Sequence, residues 1–238
     1  MNPTALNPPP AAPGESPLVV PRGPDVDLAR AVEAAADHWP PVPVACLELR
    51  QAWLPQSEPA LRPGRVSLAA TECALLVFAE LTDDCIHTLA TADHEPLWER
   101  GDVFEIFLQS FGAEQYFELQ IAPSGHRLHL HYPWIGAMRA NGIAPYIQCD
   151  RAIEFTARVE PARARWRVAA RIPIAPLMPR HPRSDGAEWR AAFCRYDYDA
   201  AGQFFLSSTA ALTRPDFHRI GEWSLLSIPG GFPARPTY

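Results

Sequence analysis

Two histidines stand at alternate positions of a predicted strand, where both imidazoles could reach one metal ion. Residues 126–132 read HRLHLHY, an alternation of polar and apolar residues, so His129 and His131 share one strand face. Such a pair is a possible transition-metal site. The simpler interpretation is a half-exposed polar strand face, and we favour it because a short histidine motif alone is weak evidence.

Carboxylates offer two further kinds of site. Asp83 and Asp84 close an apolar run and could help to hold calcium through their oxygens. The alternative is an Asx turn after a strand, which we prefer. Glu105 lies inside an apolar strand, where a buried carboxylate needs a partner. Either a ligand or an arginine, Arg127 or Arg195, would supply one.

A tryptophan and a histidine in predicted loops are candidate ligand contacts. Trp98 is flanked by Pro96 and by charged residues, and binding residues concentrate in loops. It would be a flat binding platform or a tryptophan of the core or rim. In the segment PDFH, Asp216 is expected to fix a turn, and His218 either supports that turn or lines a ligand cleft.

Composition excludes several chemistries. The 238 residues contain no lysine, so a Schiff-base lysine and a Walker-type phosphate lysine are ruled out. No G-x-S-x-G segment and no C-x-x-C pair occurs, and the five cysteines are scattered, which indicates reduced thiols. The net charge of −6 argues against nucleic-acid binding. No apolar run is long enough to span a membrane, and no secretory signal is recognisable, so we expect a cytoplasmic protein.

These groups must be positioned by strands, because helical patterns are scarce. Eight of the 27 prolines fall in residues 1–24, which we predict to be a poorly ordered arm. Residues 25–41 have helical spacing, with Asp25 as the expected N-cap. Residues 42–238 carry about ten alternating or apolar strands separated by turns, which predicts an antiparallel β-sandwich. Four arginines at 163, 165, 167 and 171 are expected on a solvated outer face.

Four segments of this chain have a characteristic order and spacing. They are LLVFAELTDD (75–84), WERGDVFEIFL (98–108), QYFELQIAPSG (115–125), and RYDYD (195–199) followed by PDFHRIGEW (215–223). In these segments the chain resembles the family 9 carbohydrate-binding modules, within the wider DOMON-like superfamily. The resemblance covers about two thirds of the sequence. It implies a jelly-roll β-sandwich that binds a sugar or a similar small ligand on one sheet without catalysis, often with structural calcium.

The resemblance also implies site residues. Trp98 matches the first of two tryptophans that clamp a sugar, and Glu105 matches a carboxylate that accepts hydroxyl hydrogen bonds. Arg195 stands where the family has a glutamine ligand, while Glu118 and Gln120 stand where it has an arginine and an asparagine. The second tryptophan is missing, since the residues before Pro215 read ALTR.

Three functions therefore follow as hypotheses. The first is non-catalytic binding of a carbohydrate or related small molecule through Trp98, Glu105, Glu118, Gln120, Arg195 and His218. The second is a haem-binding or redox domain, which needs axial histidine or methionine ligands; only Met138 and Met178 are internal methionines. The third is a structural or interaction module whose sugar site has been lost.

Overall fold

The protein is described by a computed structural model over residues 16–35, 39–148, 153–174 and 188–230. These residues form two packed β-sheets, which confirms the predicted sandwich. The seven-stranded sheet consists of β1 (Leu18–Val19), β5 (Val103–Ser110), β6 (Tyr116–Ile121), β7 (Arg127–Tyr132), β10 (Glu188–Tyr198), β11 (Phe204–Ser208) and β12 (Ser224–Ser227). The five-stranded sheet consists of β2 (Ala45–Glu48), β3 (Gly64–Ala70), β4 (Ala74–Thr82), β8 (Glu154–Glu160) and β9 (Arg165–Pro173).

Strand order brings distant segments together. The larger sheet runs β1-β12-β10-β5-β6-β7, with β11 also paired to β10, and the smaller runs β2-β3-β4-β9-β8. All of these pairs are antiparallel except β1 with β12. Strands β5 and β6 form an antiparallel hairpin around Gly112, in which Glu105 lies opposite Gln120. Strands β5 and β10 therefore lie side by side in the middle of the larger sheet.

Alternation along the strands fills the space between the sheets. Phe104, Ile106 and Leu108 of β5 point inward and meet inward residues of the smaller sheet, such as Val77 and Trp166. Each fully buried side chain of this size contributes about 1.5–3 kcal/mol relative to an exposed one. The opposite face of each sheet is also covered, the smaller sheet by a helix and the larger sheet by loops.

The helix differs from its predicted bounds. Helix α1 spans Leu28–Glu33, and its N-cap is Asp27, whose Oδ1 accepts from the backbone N–H of Ala29 and Arg30. Asp25, the expected cap, instead accepts from Arg171. Residues 36–38 lie outside the described part. A second short helix, α2 (Ala137–Asn141), lies between β7 and β8, where no helix was predicted. No helix in the described ranges is long and apolar enough to cross a membrane.

The described part of the proline-rich arm is structured, contrary to the prediction. Strand β1 pairs with β12, and the backbone N–H of Val20 donates to the carbonyl of Ser227 at 2.8 Å. Val20 is fully buried in the core between the sheets. An apolar LVV run among the prolines therefore suffices to dock residues 18–20, because it can fill a position at the sheet edge.

The arginine face of β9 is not solvated as expected. Arg167 is 1% exposed, and its Nη1 donates to the carbonyl of Ala34 at 2.7 Å. Its guanidinium also lies 4.7 Å from the ring centroid of Trp39, a cation–π contact. The charge pattern could not reveal this, because α1 and the residues after it come from elsewhere in the chain to cover this face.

Candidate functional site

The outer face of the larger sheet provides the floor of a cavity. Because Phe104 and Ile106 point into the core, Glu105 points to the other face of β5. By the same alternation, Glu118 and Gln120 project from β6 beside it, and Gln120 lies directly opposite Glu105. Three polar side chains thus leave two neighbouring strands on one side of the sheet. All three are at most 3% exposed.

Loops and the ends of strands complete the walls. The cavity has a volume of about 370 Å³, within the usual range of small-molecule sites. It is lined by Trp98, Glu105, Glu118, Gln120, Tyr132, Met138, Ile143, Tyr196, Pro215, Asp216, Phe217 and His218. Seven of these twelve side chains are aromatic or aliphatic, and the other five carry carboxyl, amide or imidazole groups, so the surface suits a ligand with both apolar and polar faces.

Hydrogen bonds fix the polar floor. Gln120 Nε2 donates to Glu118 Oε1, and the hydroxyl of Tyr132 donates to Glu118 Oε2 at 3.3 Å. His218 Nε2 lies 3.7 Å from the same Oε2, while its Nδ1 is 3.1 Å from the hydroxyl of Tyr116. Gln120 Oε1 is buried, and no described residue hydrogen-bonds to it. The floor is therefore preorganised and retains one free acceptor.

Burial shifts the ionisation of these groups. Burial raises the pKa of Glu118 to about 7. Burial, together with the nearby charge of Glu118, raises the pKa of Glu105 well above its usual value. Burial also lowers the pKa of His218 to about 4. Near neutral pH the histidine is thus uncharged, and the two carboxyl groups retain protons that exposed glutamates would lose.

Trp98 stands at the cavity on a short 3-10 turn, Leu97–Glu99. The hydroxyl of Tyr198 donates to its carbonyl at 2.6 Å, which anchors the turn to β10. The turn enters β5 through Gly101, whose φ is +131°, and a Cβ there would lie 2.3 Å from the carbonyl oxygen of His87. A glycine is required at this close approach, and it fixes where Trp98 stands relative to Glu105.

The structure brings five of the six predicted ligand contacts together. Trp98, Glu105, Glu118, Gln120 and His218 all line the cavity. Arg195 does not, because it occupies the inward face of β10. There it is fully buried, and it donates to the carbonyl of Thr82 at 2.8 Å and to Asp83 and Asp197 at 3.0 and 2.9 Å.

Arg195 is the centre of a buried acidic cluster formed by Asp83, Asp102 and Asp197. One carboxylate oxygen from each aspartate lies within 4.8 Å of the others. Backbone N–H groups donate to both oxygens of Asp102, and burial raises its pKa to about 7. A second guanidinium, that of Arg62, lies 3.4 Å from Asp197 Oδ2.

This acidic cluster does not fit calcium. Calcium takes six to eight oxygen ligands, whereas here Arg195 and backbone N–H groups already hydrogen-bond both oxygens of Asp83, both oxygens of Asp102 and Oδ1 of Asp197. Asp197 Oδ2 has no hydrogen bond from a described residue, but it lies 3.4 Å from the Arg62 guanidinium. A divalent cation would also be repelled by the Arg195 guanidinium. Asp84, the other calcium candidate, faces solvent and pairs with Arg62. Asp83 Oδ1 accepts a hydrogen bond from the N–H of Cys85 at 2.8 Å. This bond forms the Asx turn that we preferred from the sequence.

The two strand histidines do not join a three-ligand group in the described part of the chain. His131 stacks on Phe117 with ring centroids 4.3 Å apart, and its Nε2 lies 3.4 Å from Gln115 Oε1. His129 is buried beside the same ring. Their alternation with Leu128 and Leu130 is present as predicted, but the expected half-exposed face is wrong for His129, which is 4% exposed. Both rings instead pack against Phe117.

Several lining residues were not predicted. Tyr132 lies two positions beyond Leu130 on β7, so strand alternation could have placed it on this face. Tyr196 follows Cys194 on β10 by the same rule. Met138 and Ile143 lie in and after α2, and no strand periodicity extends to them. Asp216 binds Arg139 and accepts from the N–H of His218 at 3.2 Å, the expected turn.

Solved structures share this architecture, although the sequence comparisons find no match. No protein-family model and no curated protein matches the sequence. Among solved structures, a candidate carbohydrate-binding protein from Bacteroides uniformis is 17% identical with a TM-score of 0.59, and the match covers 78% of this chain and 86% of that chain.

A family 9 carbohydrate-binding module from Caldicellulosiruptor kristjanssonii also matches in two complexes. With cellotriose, the TM-score is 0.57 at 13% identity over 93% of this chain and 97% of that chain. With glucose, the TM-score is 0.56 at 12% identity over 92% and 98%. This chain has the fold of those modules. The resemblance read from the sequence is confirmed at the level of fold, while the DOMON-like assignment stays a prediction.

Proposed function

We propose that the protein binds a carbohydrate or a related small molecule in the cavity, without catalysing a reaction. The observation that carries the proposal is the composition of the cavity: Trp98 lines the same cavity as Glu105, Glu118 and Gln120. A family 9 module with the same fold has been solved with bound cellotriose and with bound glucose. These two ligands support sugars as the first class of ligand to test here.

The chemistry of the cavity suits a pyranose. One face of a sugar ring presents C–H groups, which pack on a flat aromatic surface such as Trp98. Its hydroxyl groups then face the floor, where Gln120 Oε1 is free to accept. Hydrogen bonds to charged acceptors such as an ionised Glu118 are about twice as strong as neutral ones. The missing second tryptophan limits stacking to one side, so we expect weaker binding than two rings would give.

The positions of the two carboxyl groups favour binding over hydrolysis. In glycoside hydrolysis two carboxyl groups flank the scissile bond. Glu105 and Glu118 instead project side by side from neighbouring strands of one floor, so they would contact the same side of a ligand. The lining residues also include no serine, threonine or cysteine as a nucleophile.

A glycan array followed by calorimetry tests the proposal, with wild type compared with Trp98→Ala. The matched control is Trp134→Ala, since Trp134 is 44% exposed and does not line the cavity. We expect millimolar or tighter binding that Trp98→Ala weakens at least about tenfold, or about 1.4 kcal/mol, and that Trp134→Ala leaves intact. No binding to any sugar at millimolar concentration would reject the proposal and favour the structural or interaction module.

A haem-binding or redox role is the second candidate, and one observation supports it. Met138 and His218, residue types that serve as axial haem ligands, both line the cavity. His218, however, is already held by Tyr116 through Nδ1. An absorbance spectrum of the purified protein after addition of haem decides the point: a Soret shift that disappears in His218→Ala would replace the carbohydrate proposal.

A further inference from the structure

The floor of the cavity is rich in hydrogen-bond acceptors and poor in free donors. Glu105 and Glu118 contribute carboxyl groups. Within the described ranges Gln120 Oε1 is buried without a partner, while Gln120 Nε2 donates to Glu118. The hydroxyl of Tyr132 is likewise committed to Glu118. Once the two carboxyl groups are ionised they only accept hydrogen bonds, so a ligand that meets the floor in that state must bring the donors.

No positive charge of the described chain balances the two carboxyl groups. Among the described residues, no arginine makes an ion pair with Glu105 or Glu118; the nearest basic group is His218 at 3.7 Å, which is uncharged near neutral pH because burial lowers its pKa to about 4. Arg139 pairs with Asp216 at the cavity edge. Arg195 is held in the acidic cluster on the other face of the sheet.

We propose that the cavity selects a ligand with a protonated amine, and that an amino sugar is the natural form of that ligand. The inference rests on the proposed function and specifies its ligand class. An ammonium group has three donors and no acceptor, which matches Glu105, Glu118 and the free Oε1 of Gln120. The rings of Trp98 and Tyr196 at the same cavity also attract a cation.

Binding of an ammonium group should also release a proton from the cavity, which can be measured separately from affinity. Burial raises the pKa of both Glu105 and Glu118, so near neutral pH the pair retains a proton. A bound ammonium favours the ionised carboxylate, so the pair releases a proton to solvent as the cation enters, and the net charge of the cavity is unchanged. The other ionisable groups that face the two glutamates are Tyr116, Tyr132, Cys194, Tyr196, His218 and the Asp216–Arg139 pair. The tyrosines and Cys194 stay uncharged because burial raises their pKa, His218 stays uncharged because burial lowers its pKa, and the ion pair is neutral overall, so the proton comes from the glutamates.

Calorimetry with glucosamine and glucose tests the preference for an amine most simply, because the two sugars differ only by an ammonium group in place of a hydroxyl group. We expect glucosamine to bind at least about tenfold more tightly, or about 1.4 kcal/mol. Its binding enthalpy should vary with the ionisation enthalpy of the buffer near neutral pH, since a proton is released. Ethanolamine, an amine without a sugar ring, should bind more weakly than glucosamine.

Variants link the preference to the floor. Glu118→Gln keeps the size of the side chain and should reduce the preference for glucosamine to about threefold or less, which is under about 0.7 kcal/mol. Glu114→Gln, an exposed glutamate of the β5–β6 turn, is the matched control and should change nothing. The wild-type comparison stands alone if Glu118→Gln fails to fold.

The outcomes separate the inference from the proposed function. Equal affinity for glucose and glucosamine would overturn the amine preference and leave sugar binding intact. Binding of neither sugar or amine would reject both. Ethanolamine binding as tightly as glucosamine would retain the ammonium site and overturn the choice of an amino sugar.

Discussion

Replacement of Arg195 by methionine tests whether this residue holds the fold together or serves as a ligand contact. Its guanidinium makes three hydrogen bonds inside the protein, to the carbonyl of Thr82 and to Asp83 and Asp197. Methionine keeps much of the side-chain volume and removes the charge. The variant leaves buried carboxylates without their principal counter-ion, so we expect a large loss of stability.

The expected size follows from burial and from what remains. Removing one partner of a buried ion pair costs about 3–5 kcal/mol, because the other charge is left uncompensated. Two features place Arg195→Met near the lower end of that range. Arg62 still lies 3.4 Å from Asp197, and Asp102, with a pKa raised to about 7 by burial, is partly protonated near neutral pH. We therefore expect a loss of about 3 kcal/mol.

Urea denaturation at neutral pH measures this loss. The matched control is Arg65→Met, since Arg65 pairs with Glu48 on the surface and both side chains are 62% exposed. Surface pairs contribute about 0–1 kcal/mol. If Arg195→Met lowers the free energy of unfolding no more than Arg65→Met does, the internal cluster does not stabilise the fold. Arg195 would then again be a candidate ligand contact.

Three further predictions concern Glu118, the acidic cluster and the N-cap of α1. Because folding raises the pKa of Glu118 from 4.5 to about 7, its contribution to stability is full below about 4.5 and is lost as the pH rises through about 7. The free energy of unfolding should therefore fall over this window in wild type and fall less in Glu118→Gln; equal slopes would contradict the assignment. Addition of EDTA should leave the melting temperature unchanged, because Arg195 supplies the positive charge of the acidic cluster, and a clear drop reversed by calcium would restore a calcium site. Asp27→Ala should cost about 1 kcal/mol by removing the N-cap of α1, whereas Asp25→Ala should cost less; the reverse order in urea denaturation would support the sequence-based cap.

Strand periodicity made most of the sandwich predictable. The sequence predicted about ten strands and the described residues form twelve, since alternation and turn residues are local signals. Strand β1 was missed because proline-rich sequence suggests disorder, and its pairing with β12 is a contact between opposite ends of the chain. The burial of Arg167 was missed for the same reason, as α1 covers it from a distant position in the sequence.

The candidate site was predictable where it lies on strands. Glu105, Glu118 and Gln120 share a face by alternation, and the family resemblance added Trp98 and His218. Arg195 follows the same alternation onto the inward face of β10, which the resemblance alone did not take into account. Met138 lies in the short helix α2 and Phe217 in a loop, and the positions of both depend on packing across the sheet, so local patterns contain no signal for them.

A crystal structure of the protein with the tightest ligand of the calorimetric series tests the central claim most directly. The account predicts the ligand in the cavity on the outer face of the larger sheet, stacked on Trp98 and bonded to Gln120 Oε1, with its amine toward Glu105 and Glu118. An empty cavity with the ligand bound on another surface, at a concentration that saturates binding in solution, would contradict it.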